Sequence, residues 1–408
     1  MKFYGHRVLG LSFLVCVVLL IAEGSFSEGT STEASKASEW SYWSIDPENA
    51  TIKPRVSYVP GVKVIRGDTH LIVPEHKSFC PAGSVFQFNN GDIEVYNRRS
   101  SDGGETWVDA GHILENSTYQ YPEPDGEVLM FESFYSCEHS TGGGRPEASV
   151  VKSQDEAGVL EAKLLRSSDN GVTRVAERAK IYLPEQFAEW TGRLSRKIVG
   201  LKDGSLLMSM YGRHENGTKI ERKYLSLAIR STDRGKTWRY LSTIAIDRSE
   251  TARGEGFDET SLLVLPDGDV LSFLRSGASY QASMGSFNNN DPSVDMPFGY
   301  AKQTPVYLTR SVDGGAHWGA ADPINSFGVW PDALLMENGL LVASYGRPGN
   351  WIMFSQDEGN SWGPIIPFHH DLYPPDCSNY FSMAEVAPNV LLVVYARTNP
   401  NDHWKSEL

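Results

Sequence analysis

Only four cysteines occur in the 408 residues, and Cys16 lies in the apolar start of the chain. Cys80, Cys137 and Cys377 remain to form one disulfide at most, with a thiol left over. That excludes a disulfide scaffold and a structural zinc site. Positive charge is also scarce: 37 Lys and Arg face 51 Asp and Glu, for a net charge of -14. Nucleic acids and anionic membranes need clustered cations, so neither is an expected partner and any basic patch must be local. The chain has no Gly-x-x-x-x-Gly-Lys phosphate loop, no Gly-x-Ser-x-Gly elbow and no His-Glu-x-x-His pair, and no cofactor or metal is implied. His76 and the pair His369-His370 read as loop residues, and Gly142-Gly143-Gly144 as part of a charged insertion. No long amphipathic helical pattern is found. An apolar share of 40% excludes disorder as the dominant state.

Both ends of the chain carry addresses. Lys2 and Arg7 precede an apolar run from Val8 to Ala22, which is too short for a bilayer span and suited to a signal-peptide core, with small residues Ala22 and Gly24 at its end. Glycosylation sequons stand at Asn49, Asn116 and Asn216. The final Lys405-Ser406-Glu407-Leu408 is similar to a Lys-Asp-Glu-Leu retrieval signal, with a retrieval receptor as the implied partner. The expected organisation is a signal peptide over 1–24, a linker over 25–54, one domain over 55–404 and a retrieval-like tail over 405–408, in the endoplasmic reticulum lumen or secreted.

The chain repeats itself. Ser100-x-Asp102-x-Gly104-x-Thr106-Trp107 recurs with its first residue at Ser167, Ser231, Ser311 and Ser355. In such a box the Asp accepts backbone N–H bonds within a tight turn, the Gly supplies a positive φ and the Trp packs a large apolar face. The second copy carries Arg174 where Trp is expected, which marks its repeat as the least regular. Hairpin turns precede the boxes at Asn90-Gly91, Asp125-Gly126, Asp203-Gly204, Asp267-Gly268 and Asn338-Gly339, and one more, Pro388-Asn389, has no box after it. Six hairpins predict six four-stranded blades of an all-β propeller, with the segment Val56 to Ile65 closing the ring.

Residues equidistant from a hairpin turn are cross-strand neighbours. Around Asp267 this pairs Glu259 with Arg275. The same arithmetic sends Arg98 and Arg99, Arg213, Arg347 and Arg397 to corresponding strand ends at one mouth. Converging guanidinium groups in so acidic a chain suit a small anion such as a carboxylate, gripped by bidentate forks, although each Arg could instead pair with a carboxylate beside it.

These repeats and arginines resemble the sialidase (neuraminidase) family of Asp-box, or BNR-repeat, propellers across nearly all of 55–404. The family has a Glu followed sixteen residues later by an Arg, as Glu259 is by Arg275. It has an Arg eight residues before a box, as Arg347 stands before Ser355, and a Tyr opening the last inner strand, as Tyr380 does in Asn379-Tyr380-Phe381-Ser382. The resemblance implies an exo-glycosidase that hydrolyses terminal sialic acid or a related acidic sugar from glycoconjugates. Tyr380 would be its nucleophile and Glu259 its activating base, while Arg275 and Arg347 hold the sugar carboxylate. A neutral phenol avoids the repulsion that a carboxylate nucleophile would meet there. Two departures stand out. Phe79-Cys80-Pro81 replaces the family's blade-one Arg, for which Arg98, Arg196 and Arg213 are the candidate substitutes. The family's acid/base loop is also missing, which leaves Asp332 and Asp258 as candidate proton donors. Other readings of the same scaffold are a glycosidase or lyase for a different uronic or ulosonic acid, and a non-catalytic propeller that binds acidic glycans.

Overall fold

The computed structural model describes residues 16–21, 57–59, 62–69, 72, 84–114, 117–122, 126–131, 150–187, 190–214, 218, 221–248, 256–276, 305–325, 328–346, 350–363, 366–369, 381–395, 397–399 and 402–407. Among them the chain is all-β, apart from a single 3-10 turn at Glu185–Phe187. In chain order come β1 (Cys16–Ile21), β2 (Ser57–Val59), β3 (Val62–Thr69), β4 (Val85–Gln87), β5 (Ile93–Val95), β6 (Arg98–Ser100) and β7 (Val108–Asp109). They are followed by β8 (Ser117–Gln120), β9 (Val128–Phe131), β10 (Val150–Lys152), β11 (Val159–Ser167), β12 (Val175–Tyr182), β13 (Trp190–Gly200), β14 (Leu206–His214), β15 (Leu225–Ser231) and β16 (Thr237–Ile246). The remainder are β17 (Asp258–Val264), β18 (Val270–Arg275), β19 (Val306–Ser311), β20 (Asp322–Pro323), β21 (Val329–Leu335), β22 (Leu341–Gly346), β23 (Asn350–Ser355), β24 (Ile366–His369), β25 (Phe381–Ala387), β26 (Val390–Tyr395), β27 (Arg397–Asn399) and β28 (Asp402–Glu407).

Antiparallel meanders repeat along the chain. β4 to β7, β17 to β20 and β21 to β24 each form a four-stranded sheet. The nine-stranded sheet holds β8-β9-β11-β12 and β13 to β16, joined by a parallel pairing of β12 with β16, while β10 pairs β11. The last sheet runs β2-β3-β1-β26-β25, so the segment expected to close the ring does join it. The apolar start, read from sequence as a signal-peptide core, supplies β1 between β3 and β26. At the other end Thr398 and Ser406 pair in the β27–β28 hairpin, which takes in most of the retrieval-like tail.

Apolar side chains fill the seams between successive sheets. Leu207 and Ala228 pack with Leu262, Val270 and Leu274 in one seam, and Phe273 and Leu271 with Ala343, Tyr345 and Met353 in the next. The meanders on either side of these seams are therefore covered by neighbouring sheets, which accounts for near-continuous apolar runs such as Leu206–Tyr211.

The five boxes share one hydrogen-bond plan. Ser100 Oγ donates to Asp102 Oδ1 at 2.8 Å and accepts from Gly104 N–H at 2.8 Å, while Thr106 N–H and Oγ1 both donate to the Asp102 carboxylate. His317 takes the threonine's place in the fourth box, its Nδ1 lying 2.6 Å from Asp313 Oδ2. The indoles of Trp107, Trp238 and Trp318 donate to the box glycine carbonyl at 2.9 to 3.1 Å. Arg174 imitates them: its Nε donates to the Gly171 carbonyl at 3.1 Å, so the odd box keeps the plan with a guanidinium in place of an indole.

Hydrogen bonds from Thr106 lower the pKa of Asp102 from 3.8 to about 2, and those from His317 do the same for Asp313. A carboxyl whose folded pKa lies below its unfolded value stabilises the fold above the unfolded value and loses that contribution as pH falls through the folded one. The unfolding midpoint is therefore expected to drop between about pH 4 and pH 2, and less steeply in Asp102→Asn. Thermal melts across that window check this, and an unchanged slope in the variant would overturn it.

Candidate active site

The inner strands β13, β17 and β21 each carry a break in register. The breaks lie between Leu194 and Ile198, between Asp258 and Ser261, and between Val329 and Asp332. Two bulge residues adopt a conformation that side chains resist: Glu259 has φ 35° and Trp330 has φ 51°. Bulges re-aim side chains, and strained backbone of this kind concentrates at functional sites. The bulge also corrects the strand-end arithmetic, because Asp258 rather than Glu259 stands opposite Arg275.

Arg275 still binds both carboxylates. Its Nη1 lies 2.7 Å from Glu259 Oε2 and its Nε 3.6 Å from Asp258 Oδ1, and all three residues are buried. The Trp330 N–H donates to Glu259 Oε2 at 3.2 Å. On the other side of that residue Arg196 Nη1 donates to the Trp330 carbonyl at 2.9 Å, and its guanidinium covers the indole at 4.9 Å. The strained Trp330 is thus held from β17 by Glu259 and from β13 by Arg196. Arg196, a candidate substitute for the missing arginine, is brought into this group by its bond to the Trp330 carbonyl.

One layer deeper, Asp332 is a hub. Lys197 Nζ lies 2.6 Å from its Oδ1, Ser261 Oγ donates to the same oxygen at 3.3 Å, and Ser382 Oγ donates to Oδ2 at 3.4 Å. Ser382 Oγ in turn accepts the Val85 N–H at 3.0 Å. Counted back from their hairpin turns, Lys197, Ser261, Asp332 and Ser382 occupy equivalent positions, so they make one polar ring across β13, β17, β21 and β25. Burial alone would raise the Asp332 pKa, but the charges of Lys197 and Arg196 outweigh it and hold the carboxyl below its usual range. A group kept ionised in this way is poorly suited to donate a proton, in contrast to the expectation for Asp332. Lys197→Met is expected to cost about 3 kcal/mol by stranding a buried charge, and adding Asp332→Asn should recover most of it. Urea unfolding of the two variants checks this, and a double variant no more stable than Lys197→Met would overturn it.

Arg213 lies at the end of β14, half-buried, with its guanidinium 4.9 Å from the Tyr224 ring. Tyr211, two residues earlier, is buried; that burial pushes its phenol up, against the opposing charge of Arg193. Arg98 corrects a second expectation. β5 is only three residues long and turns at Tyr96, whose φ is 51°, so Arg98 opens the next strand instead of ending this one. There it pairs with Asp109 at 3.0 Å. Arg397, likewise expected at the mouth, lies in β27 opposite Glu407. Tyr380, Arg347, the sequon asparagines Asn49, Asn116 and Asn216, and Cys80, Cys137 and Cys377 lie outside the described residues.

Sequence reasoning missed Arg193, Lys197 and the Trp330 peptide. The run Arg193-Leu194-Ser195-Arg196-Lys197 places three cations in an inner strand whose neighbours are buried, and that was an available signal. Five cations, Arg193, Arg196, Lys197, Arg213 and Arg275, thus accompany three carboxylates, Asp258, Glu259 and Asp332. Among the described residues of this group cations therefore outnumber carboxylates, in a chain of net charge -14.

Comparison with known proteins agrees with this architecture. Residues 89–374 match the family described as BNR repeat-like domain. A sialidase of Micromonospora viridifaciens is 25% identical over 310 residues, covering 67% of this chain and 41% of that protein, so the chain spans less than half of that relative. Among solved structures, a protein of unknown function from Dyadobacter fermentans aligns with a TM-score of 0.55 at 19% identity, covering 83% of this chain and 96% of that one. The NanB sialidase of Streptococcus pneumoniae aligns with a TM-score of 0.50 at 10% identity, covering 85% and 73%. An alpha-L-arabinofuranosidase of Fusarium graminearum gives 0.50 at 14% identity, covering 83% and 96%.

Proposed function

Because the chain belongs to the BNR repeat-like domain family, a sialidase-type propeller family, we propose that it is an exo-glycosidase releasing a terminal acidic sugar, sialic acid or a close relative, from glycoconjugates. We assign it six blades. The inner strands would be β4, β8, β13, β17, β21 and β25, one for each hairpin of the sequence. The observation that carries the functional reading is the buried Glu259–Arg275 pair at 2.7 Å, set in a cluster with surplus positive charge. An anionic sugar would be drawn to that surplus, and guanidinium forks suit its carboxylate.

Tyr380 immediately precedes β25 in the chain, and the nucleophile's part is assigned to it on the family resemblance. An ordinary phenol ionises near pH 10, so a neighbouring base is required, and Glu259 is assigned that part. Arg275 and Arg347 would take the sugar carboxylate, with Arg196, through Trp330, keeping the Glu259 wall in place. Asp332 is assigned the role of a fixed anion, and Asp258 becomes the preferred proton donor. A lumenal or secreted location belongs to the same proposal, supported by the apolar start and the Lys405–Leu408 end.

The missing blade-one arginine, together with an Arg275 already flanked by two carboxylates, favours a second reading: a glycosidase or lyase for another sugar acid. A panel of fluorogenic glycosides carrying sialic, uronic and neutral sugars separates the two. Turnover of the sialoside that disappears in Tyr380→Phe supports the first reading. Turnover of another acidic sugar alone, or full activity in Tyr380→Phe, overturns it.

A further inference from the structure

The residue ahead of a box serine is arginine in four of the five copies, Arg99, Arg166, Arg230 and Arg310, and Phe354 in the fifth. None of the four belongs to the candidate active site or to the hydrogen-bond plan of its own box. Three of them reach two meanders at once. Arg310 Nη1 donates to Asp269 Oδ2 at 2.9 Å in its own hairpin, and its Nη2 to the Glu358 carbonyl at 2.6 Å in the box of the β21–β24 sheet. Arg166 Nη1 donates to Glu127 Oε2 at 2.8 Å, and its Nη2 to the Arg234 carbonyl at 3.1 Å in the box of the β13–β16 meander. Arg99 Nη2 donates to Asp92 Oδ2 at 2.6 Å, and its Nη1 to the Asn170 carbonyl at 2.9 Å in the box that follows β11. Asp92, Glu127 and Asp269 each stand one place after a hairpin glycine. The carboxylate holds one arm of the rigid fork and so aims the other across the seam, which a lysine with its single ammonium could not do.

All three receiving carbonyls belong to the residue after the box aspartate, and all three residues are left-handed without being glycine: φ is 55° at Asn170, 61° at Arg234 and 56° at Glu358. Side chains other than asparagine and aspartate rarely accept that backbone. The remaining copies differ in both halves of the arrangement. Arg230 stays in its own meander, bonded to Ser205 Oγ at 2.8 Å and to Asp203, the acid there standing before the turn glycine instead of after it. The box across that seam has Gly314 in the left-handed position, where no side chain is strained. That seam is tied by Ser242 Oγ, which donates to the Gly315 carbonyl at 2.6 Å. In the fifth copy the arginine and the hairpin acid are both replaced, by Phe354 and Leu340 of one apolar cluster.

We propose that Arg99, Arg166 and Arg310 are latches between successive meanders and that the left-handed residue of the next box is the socket of each, so that a box, besides closing its own turn, receives the meander before it. The latch holds its socket in a conformation that the residue there does not favour, and releasing it lets the box turn open locally. Latches join β4 to β16 into one group and β17 to β24 into another. The neutral tie through Ser242 falls between the two groups, in the seam where Asp258 and Glu259 begin the facing sheet.

Native-state hydrogen exchange of the full chain, read at the box amides, tests this. In Arg310→Met the Gly359 and Ser361 amides, which donate to Ser355 Oγ and Asp357 Oδ1, should exchange about tenfold faster, the loss expected for a hydrogen bond from a charged donor. In Arg230→Met the Gly315 and His317 amides of the fourth box should keep their wild-type rates. Glu358→Gly separates a latch from a simple prop. Glycine holds the left-handed turn unaided, so adding Arg310→Met to it should accelerate the fifth box by less than about threefold. Faster exchange confined to the β17–β18 hairpin of Arg310's own meander overturns the proposal, as does an equal effect of Arg230→Met on the fourth box or an equal acceleration in the Glu358→Gly background. Should Arg310→Met not fold, Arg166→Met is read in the same way at Gly235 and Thr237 of the third box, and unchanged rates there overturn the proposal.

Discussion

Glu259→Gln is expected to lower kcat by roughly a hundredfold to ten-thousandfold, the range over which a general base contributes, while leaving the folded structure intact. The amide is nearly isosteric and its carbonyl oxygen still accepts from Arg275 and from the Trp330 N–H, so both contacts at 2.7 and 3.2 Å can persist. What disappears is the capacity to take a proton. The acidic limb of the pH–rate profile should disappear with it, whereas a residue that only held Arg275 in place would leave that limb unchanged. Kinetics on the best substrate of the glycoside panel, paired with a thermal melt, make the comparison. Turnover within threefold of wild type with an unchanged profile would remove Glu259 from the chemistry and pass the base's part to Asp258.

Glu94→Gln is expected to be the most destabilising single change outside the candidate active site. The Glu94 side chain has 0% exposure and meets Arg99 at 2.8 Å, Arg174 at 2.7 Å and His112 at 3.1 Å. Arg174 belongs to the second box and also donates to the Ile113 carbonyl, while Arg99 donates to the Asn170 carbonyl in the same box. The carboxylate therefore ties β5 to the box that follows β11. Removing its charge takes away the 2.7 Å carboxylate contact of the buried Arg174, while Arg99 keeps Asp92 at 2.6 Å, at a cost of about 3 kcal/mol. Arg174→Trp, which restores the residue found in the other four boxes, should also destabilise the wild type, yet cost much less in the Glu94→Gln background. Urea unfolding of the cycle measures the coupling. A loss below about 1 kcal/mol for Glu94→Gln would show that solvent or relaxation already screens the cluster.

Much of the fold was legible before any coordinates. The boxes, the turn dipeptides and the alternating runs are local signals, because a box closes its hydrogen bonds within seven residues and a hairpin within its own turn. Arg174 shows how far such signals reach. Sequence marked its box as irregular, which was true of the composition, but the guanidinium reproduces the indole's hydrogen bond and the backbone plan is unchanged. The pairing of Glu259 with Arg275 was legible as proximity but missed in register. The φ of 35° at Glu259 is imposed by what packs around it, and no residue type there announces it.

The amino-acid sequence by itself determined the all-β class, the repeated box and hairpin unit, the acidic background with sparse cations, and the sixteen-residue interval from Glu259 to Arg275. Each depends on residues close together in the chain, where spacing alone sets geometry. Only the tertiary structure decided that Arg196 reaches the Trp330 carbonyl, that Lys197 neutralises Asp332, and that Arg98 belongs to an Asp109 pair away from Glu259 and Arg275. Those contacts join residues from eleven to well over a hundred positions apart, and they depend on strand length, bulges and the angle at which successive sheets meet. A register shift of one residue moves a side chain to the opposite face. Where three inner strands each carry a bulge, the chemistry of the candidate site is set by that shift, which spacing in the sequence does not encode.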